Sequence, residues 1–236
     1  MDLSGLDVEI EGSGQEAKKK GVVDIIFVID TSGSMGPVIS KIGKNIAGFI
    51  DSLNPADIKD WRVRVFSFGD LETDTPDIAL NVNRPWTQDP QEIVNQLVEC
   101  IENVKKQGGG DEPESSLDAL YLSAKDGFDS SWTERTRAIV LFTDATPKKI
   151  VKETLGIDAD GLQLLAQQIN DSHAYVHLFA PKHDDYIEIK NKCGKYVNYV
   201  AIDENGENPV EALRNTDFTD VLKTLGKSIS QASLIS

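Results

Sequence analysis

Val22 to Ile29 is apolar at every position except Asp24, a run that suits a central parallel strand covered on both faces. Met35, Val38, Ile39, Ile42, Ile46, Phe49, Ile50 and Leu53 follow at steps of three and four, the spacing of one buried stripe on an amphipathic helix. Trp61 to Phe68 alternates Val63, Val65 and Ser67 with Arg62, Arg64, Phe66 and Phe68 and reads as a second strand. The shorter alternation of Ile78, Leu80 and Val82 suits a short antiparallel edge strand.

Two helical stripes come next, one carrying Ile93, Val94, Leu97, Val98, Ile101 and Val104, the other Leu117, Leu120, Tyr121, Ala124 and Phe128. Between them lies Gly108-Gly109-Gly110-Asp111. Ala138 to Phe142 is a strand-like apolar run ending in Thr143-Asp144, and Leu162, Leu165, Ala166 and Ile169 mark another helix. Val176 to Phe179 and Tyr196 to Ile202 complete the strands. Phe218, Val221, Leu222, Leu225 and Ile229 make a closing helix, with Thr216 or Asp217 as its cap. Strands alternating with helices predict an α/β fold: a doubly wound, mainly parallel, Rossmann-like sheet with helices on both faces, joined by right-handed crossovers. Ligands of such sheets bind outside the carboxyl ends of the strands.

Residues 1–20 are polar, with three consecutive lysines and no apolar period, and read as a flexible N-terminal tail before a domain spanning 21–236. They also lack the apolar centre of a secretory signal, so a cytoplasmic location is expected. Every apolar run falls short of the roughly 18 residues a membrane span requires, which argues against membrane insertion. The net charge of −15 argues against nucleic acid, because phosphate binding needs clustered Lys and Arg. Cys100 and Cys193 sit in no Cys-x-x-Cys motif and are expected to be reduced structural thiols.

The chemistry gathers at the strand ends. Asp30-Thr31-Ser32-Gly33-Ser34 places one carboxylate and two short hydroxyls on a turn that opens the first helix, with Gly33 expected to let the loop wrap closely. Carboxylate and hydroxyl oxygens suit a hard divalent cation that retains some of its waters. The competing reading is that Ser32 or Ser34 caps the helix while Asp30 favours its dipole. Asp144, at the corresponding end of another apolar strand, weighs against it, since two acids at neighbouring strand ends repel unless a cation lies between them.

Asp30-x-Ser32-x-Ser34 after an apolar strand, a Gly-rich loop before a helix, and then Phe142-Thr143-Asp144 closely resemble von Willebrand factor A domains over roughly Gly21 to Ser230. The resemblance implies a metal-ion-dependent adhesion site formed by Asp30, Ser32, Ser34, a second-loop residue and Asp144. It implies one divalent cation, Mg2+ first, with Mn2+ or Ca2+ as alternatives. A carboxylate from a partner protein would take a vacant position on the ion, and the free domain would be a monomer that binds rather than catalyses. The second loop, Gly108-Gly109-Gly110-Asp111-Glu112-Pro113-Glu114-Ser115, lacks the Thr common in the family and resembles a subgroup with Gly-Gly-Gly-Asp-x-Pro-Glu. Counting back from the helix favours Glu114 as the ligand; reading forward from the glycines favours Asp111. As plain structure, the loop would be a Gly-rich turn with Pro113 in the first helical turn.

Three rival readings are weaker. Haloacid dehalogenase-like Mg2+-dependent phosphotransferases also place an Asp after the first strand, but follow it with a second Asp two positions later, where this chain has Ser32. A serine hydrolase lacks its Gly-x-Ser-x-Gly elbow, and His173, His177 and His183 crowd into one stretch. A metal-free interaction scaffold would show no stabilisation by Mg2+. Trp61, Trp86 and Trp132 are expected to be partly buried.

Overall fold

The computed structural model describes residues 21–53, 58–75, 79–104, 113–129, 135–203 and 206–232. The expected tail, 1–20, as well as Asp111 and Trp132, lies outside them. The strands are β1 (Gly21–Asp30), β2 (Ile58–Phe68), β3 (Leu80–Asn81), β4 (Thr136–Phe142), β5 (Tyr175–Ala180) and β6 (Val197–Ala201). They form one sheet in the order β3-β2-β1-β4-β5-β6. All pairings are parallel except that of β3, which joins β2 antiparallel through Ser67↔Asn81 and Phe68↔Leu80. The chain order reverses at β1, where successive connections lead first to β2 and then to β4, so the ends of β1 and β4 flank a topological switch point.

The helices are α1 (Gly36–Ser52), α2 (Pro90–Val104), α3 (Ser116–Asp126), α4 (Lys152–Leu155), α5 (Gly161–Ser172), α6 (Asp184–Cys193), α7 (Pro209–Asn215) and α8 (Phe218–Ala232). Alternation along β1 divides the core. Val23, Ile25, Phe27 and Ile29 meet α1, α2 and α8 on one face, while Ile26 and Val28 meet α3, α5 and α6 on the other. Burial on both faces explains the apolar runs Ile25–Ile29 of β1 and Ala138–Phe142 of β4. Asp24, the exception in β1, is 2% exposed and accepts both Nε and Nη2 of Arg62 at 2.8 Å, with Arg135 as a further partner.

Local signals outside the apolar pattern set the remaining elements. Asp217 Oδ1 accepts the Thr219 amide at 2.9 Å, which identifies it, rather than Thr216, as the cap of α8. Pro113 lies ahead of α3 and not in its first turn. Trp86 is half-buried between the guanidinium groups of Arg62 and Arg64, each 4.4 Å from the ring centroid. Cys100 and Cys193 are buried free thiols, both pushed up to about 11 by burial, which makes them poor nucleophiles. No helix among the described residues is long and apolar enough to cross a membrane.

Candidate metal centre

Asp30 is the last residue of β1 and is fully buried. The chain then turns through Thr31, whose amide and hydroxyl both donate to Phe68 O at 2.8 Å, tying the loop to the end of β2. A short 3-10 turn, Gly33–Met35, leads into α1. Neither Ser32, ahead of that turn, nor Met35, ahead of α1, makes a side-chain capping bond, and α1 has Pro37 in its first turn, where an amide is dispensable. The helix therefore does not use the serine hydroxyls as caps; Ser32 Oγ and Ser34 Oγ lie 3.4 Å apart. Gly33 corrects an expectation: a Cβ there would meet nothing within 4 Å, so the loop does not need glycine for close approach.

The other two loops interlock with this one through main chain. Ser115 N donates to Gly69 O at 3.1 Å, Glu114 N to Thr146 O at 2.9 Å, and Lys148 N to Glu114 O at 2.7 Å. These bonds fix Glu114, only 5% exposed, against the loop after β4. Thr143 at the end of β4 donates to Asp30 Oδ2 and accepts the Ala145 amide, so it orients Asp30 and the Asp144 turn together. Asp30 Oδ1 accepts the Ser32 amide at 2.7 Å.

The electrostatics are those of acids pressed together out of water. Burial, with Asp144 beside it, raises Asp30 to about 7 despite the bonds from Thr143 and Ser32. Glu114 rises to about 8 through burial and then through Asp30, Asp70 and Asp74, with Lys148 opposing. Asp144 is raised by burial, against a hydrogen bond from Ser34 and the charge of Arg214. Two carboxylate oxygens, Asp144 Oδ2 and Glu114 Oε2, are buried without a hydrogen-bond partner among the described residues. A buried unpaired acceptor costs about 1–3 kcal/mol, more when charged.

These features fit a hard divalent cation. It would engage the orphaned oxygens, reverse the mutual repulsion and accept neutral hydroxyls alongside carboxylates. Among the described residues no group of three or more His, Cys, Asp or Glu side chains is disposed to hold a metal ion, so a cation here would have to draw on the serine hydroxyls as well as the acids. The structure brings Asp30, Ser32, Ser34, Glu114 and Asp144 to one end of the sheet. Thr143 and Arg214, both beside these residues, were not singled out from sequence; the Thr143-Asp144 pair was the available signal for the first, while Arg214 is distant in the chain. His177 is buried in β5 and lowered to about 4 by burial, which makes it a poor general base at neutral pH. His173 pairs with Tyr196, and His183 caps α6 through the Asp185 amide.

The sequence profile of the von Willebrand factor A domain matches residues 24–157. No curated protein sequence matches significantly. Among solved structures, an aerotolerance-related membrane protein from Bacteroides fragilis carrying multiple mutations to serine is similar, with TM-score 0.50 and 16% identity over 90% of this chain and 98% of that one. The pilus adhesin SpaC from Lactobacillus rhamnosus has TM-score 0.51 and 12% identity over 91% of this chain and 31% of its own. Proximal thread matrix protein 1 of the mussel byssus has TM-score 0.51 and 12% identity over 89% and 48%. The chain thus spans about a third and about half of the latter two proteins. At these identities the likeness is one of fold.

Proposed function

This chain belongs to the von Willebrand factor A domain family, and we propose that it is a protein-binding domain, acting in adhesion or as a scaffold, whose strand-end acids hold one divalent cation for a carboxylate of a partner protein. Mg2+ is the first choice, since two short hydroxyls and a few carboxylates suit its small shell, with Mn2+ and Ca2+ as alternatives. The observation that carries the reading is the pair Asp30 and Asp144: two buried acids at adjacent strand ends, one with an unpaired oxygen. One similar fold is a pilus adhesin and another a thread matrix protein, with which such a role accords.

Each residue has a distinct task. Asp30, oriented by the Ser32 amide and Thr143, and Asp144 would contribute charge; Ser32 and Ser34 would contribute neutral oxygens. Glu114 would face the site from the second loop, with Asp111, outside the described residues, as the alternative. When bound, the cation supplies a directional attraction for one acidic side chain, and the surrounding loops select the partner. Residues 21–236 would form this single domain, preceded by the tail 1–20, and the domain would be monomeric when free.

Calorimetric titration with Mg2+ and Mn2+, followed by affinity capture in Mg2+ with the wild type and Asp30→Ala, tests the reading. One ion should bind per chain, and particular captured proteins should disappear with the variant or with chelator. A wild type that takes up neither ion, with an identical capture pattern in chelator, would overturn it in favour of a metal-free scaffold.

A further inference from the structure

Arg214 closes α7 and stands at the rim of the metal centre. Its position is firmly set: the preceding Leu213 is buried in the core and Lys41 of α1 donates to its carbonyl oxygen. The guanidinium is far less committed. Nη1 meets Glu211, three residues back on the same short helix, at 3.3 Å, and Nη2 reaches Ser34 O at a long 3.5 Å. Nε is shielded from water and has no hydrogen-bond partner among the described residues. The guanidinium is thus turned toward the Asp30-x-Ser32-x-Ser34 loop, which Nη2 meets through one long contact. Lys148, also close to the acids, is already taken by Asp70 and Glu72, both at 2.8 Å.

Charge counting gives this placement a meaning. Asp30 and Asp144, with Glu114 nearby, gather negative charge at this end of the sheet, in a chain whose net charge is already −15. A partner carboxylate approaching such a site is drawn by the ion and repelled by the acids. A guanidinium at the rim, although paired with Glu211, offsets part of that charge beside Asp144, while weakening the attraction of the same site for the cation.

We propose that Arg214 is a specificity-determining residue of this site, setting its preference for an anionic partner by trading metal affinity for carboxylate affinity through the positive charge it holds beside Ser34 and Asp144. The inference rests on the metal-dependent reading above. It goes beyond that reading in predicting effects of opposite sign from a single substitution, which a merely structural arginine would not produce.

The test uses the full chain as wild type, Arg214→Gln and Arg214→Lys. Mn2+ binding is read from the electron paramagnetic resonance of the free ion, and carboxylate binding from 19F relaxation of difluoroacetate on the Mn2+-loaded protein. Arg214→Gln should bind Mn2+ at least about threefold more tightly and difluoroacetate about tenfold more weakly. Arg214→Lys, which keeps the charge, should stay close to the wild type in both affinities. Parallel losses of both affinities in Arg214→Gln, or no change in either, would overturn the proposal while leaving the metal site standing. A wild type that binds no Mn2+ would overturn both.

Discussion

The hydroxyl of Thr143 donates to Asp30 Oδ2 at 2.5 Å, joining the end of β4 to the end of β1. The bond favours the ionised form of a carboxyl that burial and Asp144 otherwise discourage, and it holds the other oxygen's partner, the Ser32 amide, in register. Thr143→Val keeps the shape and removes the donor. We expect it to weaken Mg2+ binding by about tenfold, with Thr143→Ser close to wild type; calorimetric titration of the three proteins checks this.

The raised acids fix a sign for pH dependence. Asp30 at about 7 and Glu114 at about 8 hold their protons more tightly in the folded than in the unfolded chain. The metal-free protein should therefore lose stability as pH rises from about 4 to about 8. For Asp30 alone the loss amounts to about 4 kcal/mol. Asp30→Asn should flatten this slope and melt higher than the wild type in chelator at pH 8.5, while showing no response to Mg2+. Melting curves of both proteins across pH, with and without Mg2+, give the comparison.

His177 has the opposite sign. Buried in β5 and lowered to about 4, it binds protons more readily in the unfolded chain, so stability should fall as pH drops from about 6.5 to about 4. Denaturant titrations should show His177→Gln losing up to about 3 kcal/mol less than the wild type over that interval.

At the opposite end of β1 from Asp30, Asp24 anchors Arg62 and Arg135. Asp24→Ala would leave Arg62 with Asp129 and Arg135 with Asp60 but remove the buried carboxylate that both share, and should cost about 2 kcal/mol, with the denaturation midpoint shifting at unchanged Mg2+ affinity. A comparable loss of Mg2+ binding would show that this cluster is coupled to the far end of the sheet.

The periodic elements of this fold were legible in the sequence because β1, β4 and α1 are buried along whole faces, so the apolar pattern is the fold. The helices α4, α6 and α7 were not. In α6 only Tyr186, Ile189 and Cys193 are buried within a run whose other residues, Ile187 apart, are polar, and the stripe is too thin to stand out. α7, seven residues long, is announced by Asn208, whose side chain accepts from Val210 and Glu211, and by Pro209, a cap signal rather than a periodic one. The candidate ligands were visible where a strand ends in an acid, as at Asp30 and Asp144. Arg214 was not, because its relation to Ser34 spans 180 positions and no local pattern encodes it.

The bond between Asp30 and Thr143 also spans 113 positions of chain. β1 must therefore dock on β4 before the oxygens of the candidate metal centre meet, and such a long-range pairing is slow to form. A cation can reward the finished sheet but cannot template it. Added Mg2+ should slow unfolding and leave the refolding rate nearly untouched, as for any contact absent from the transition state.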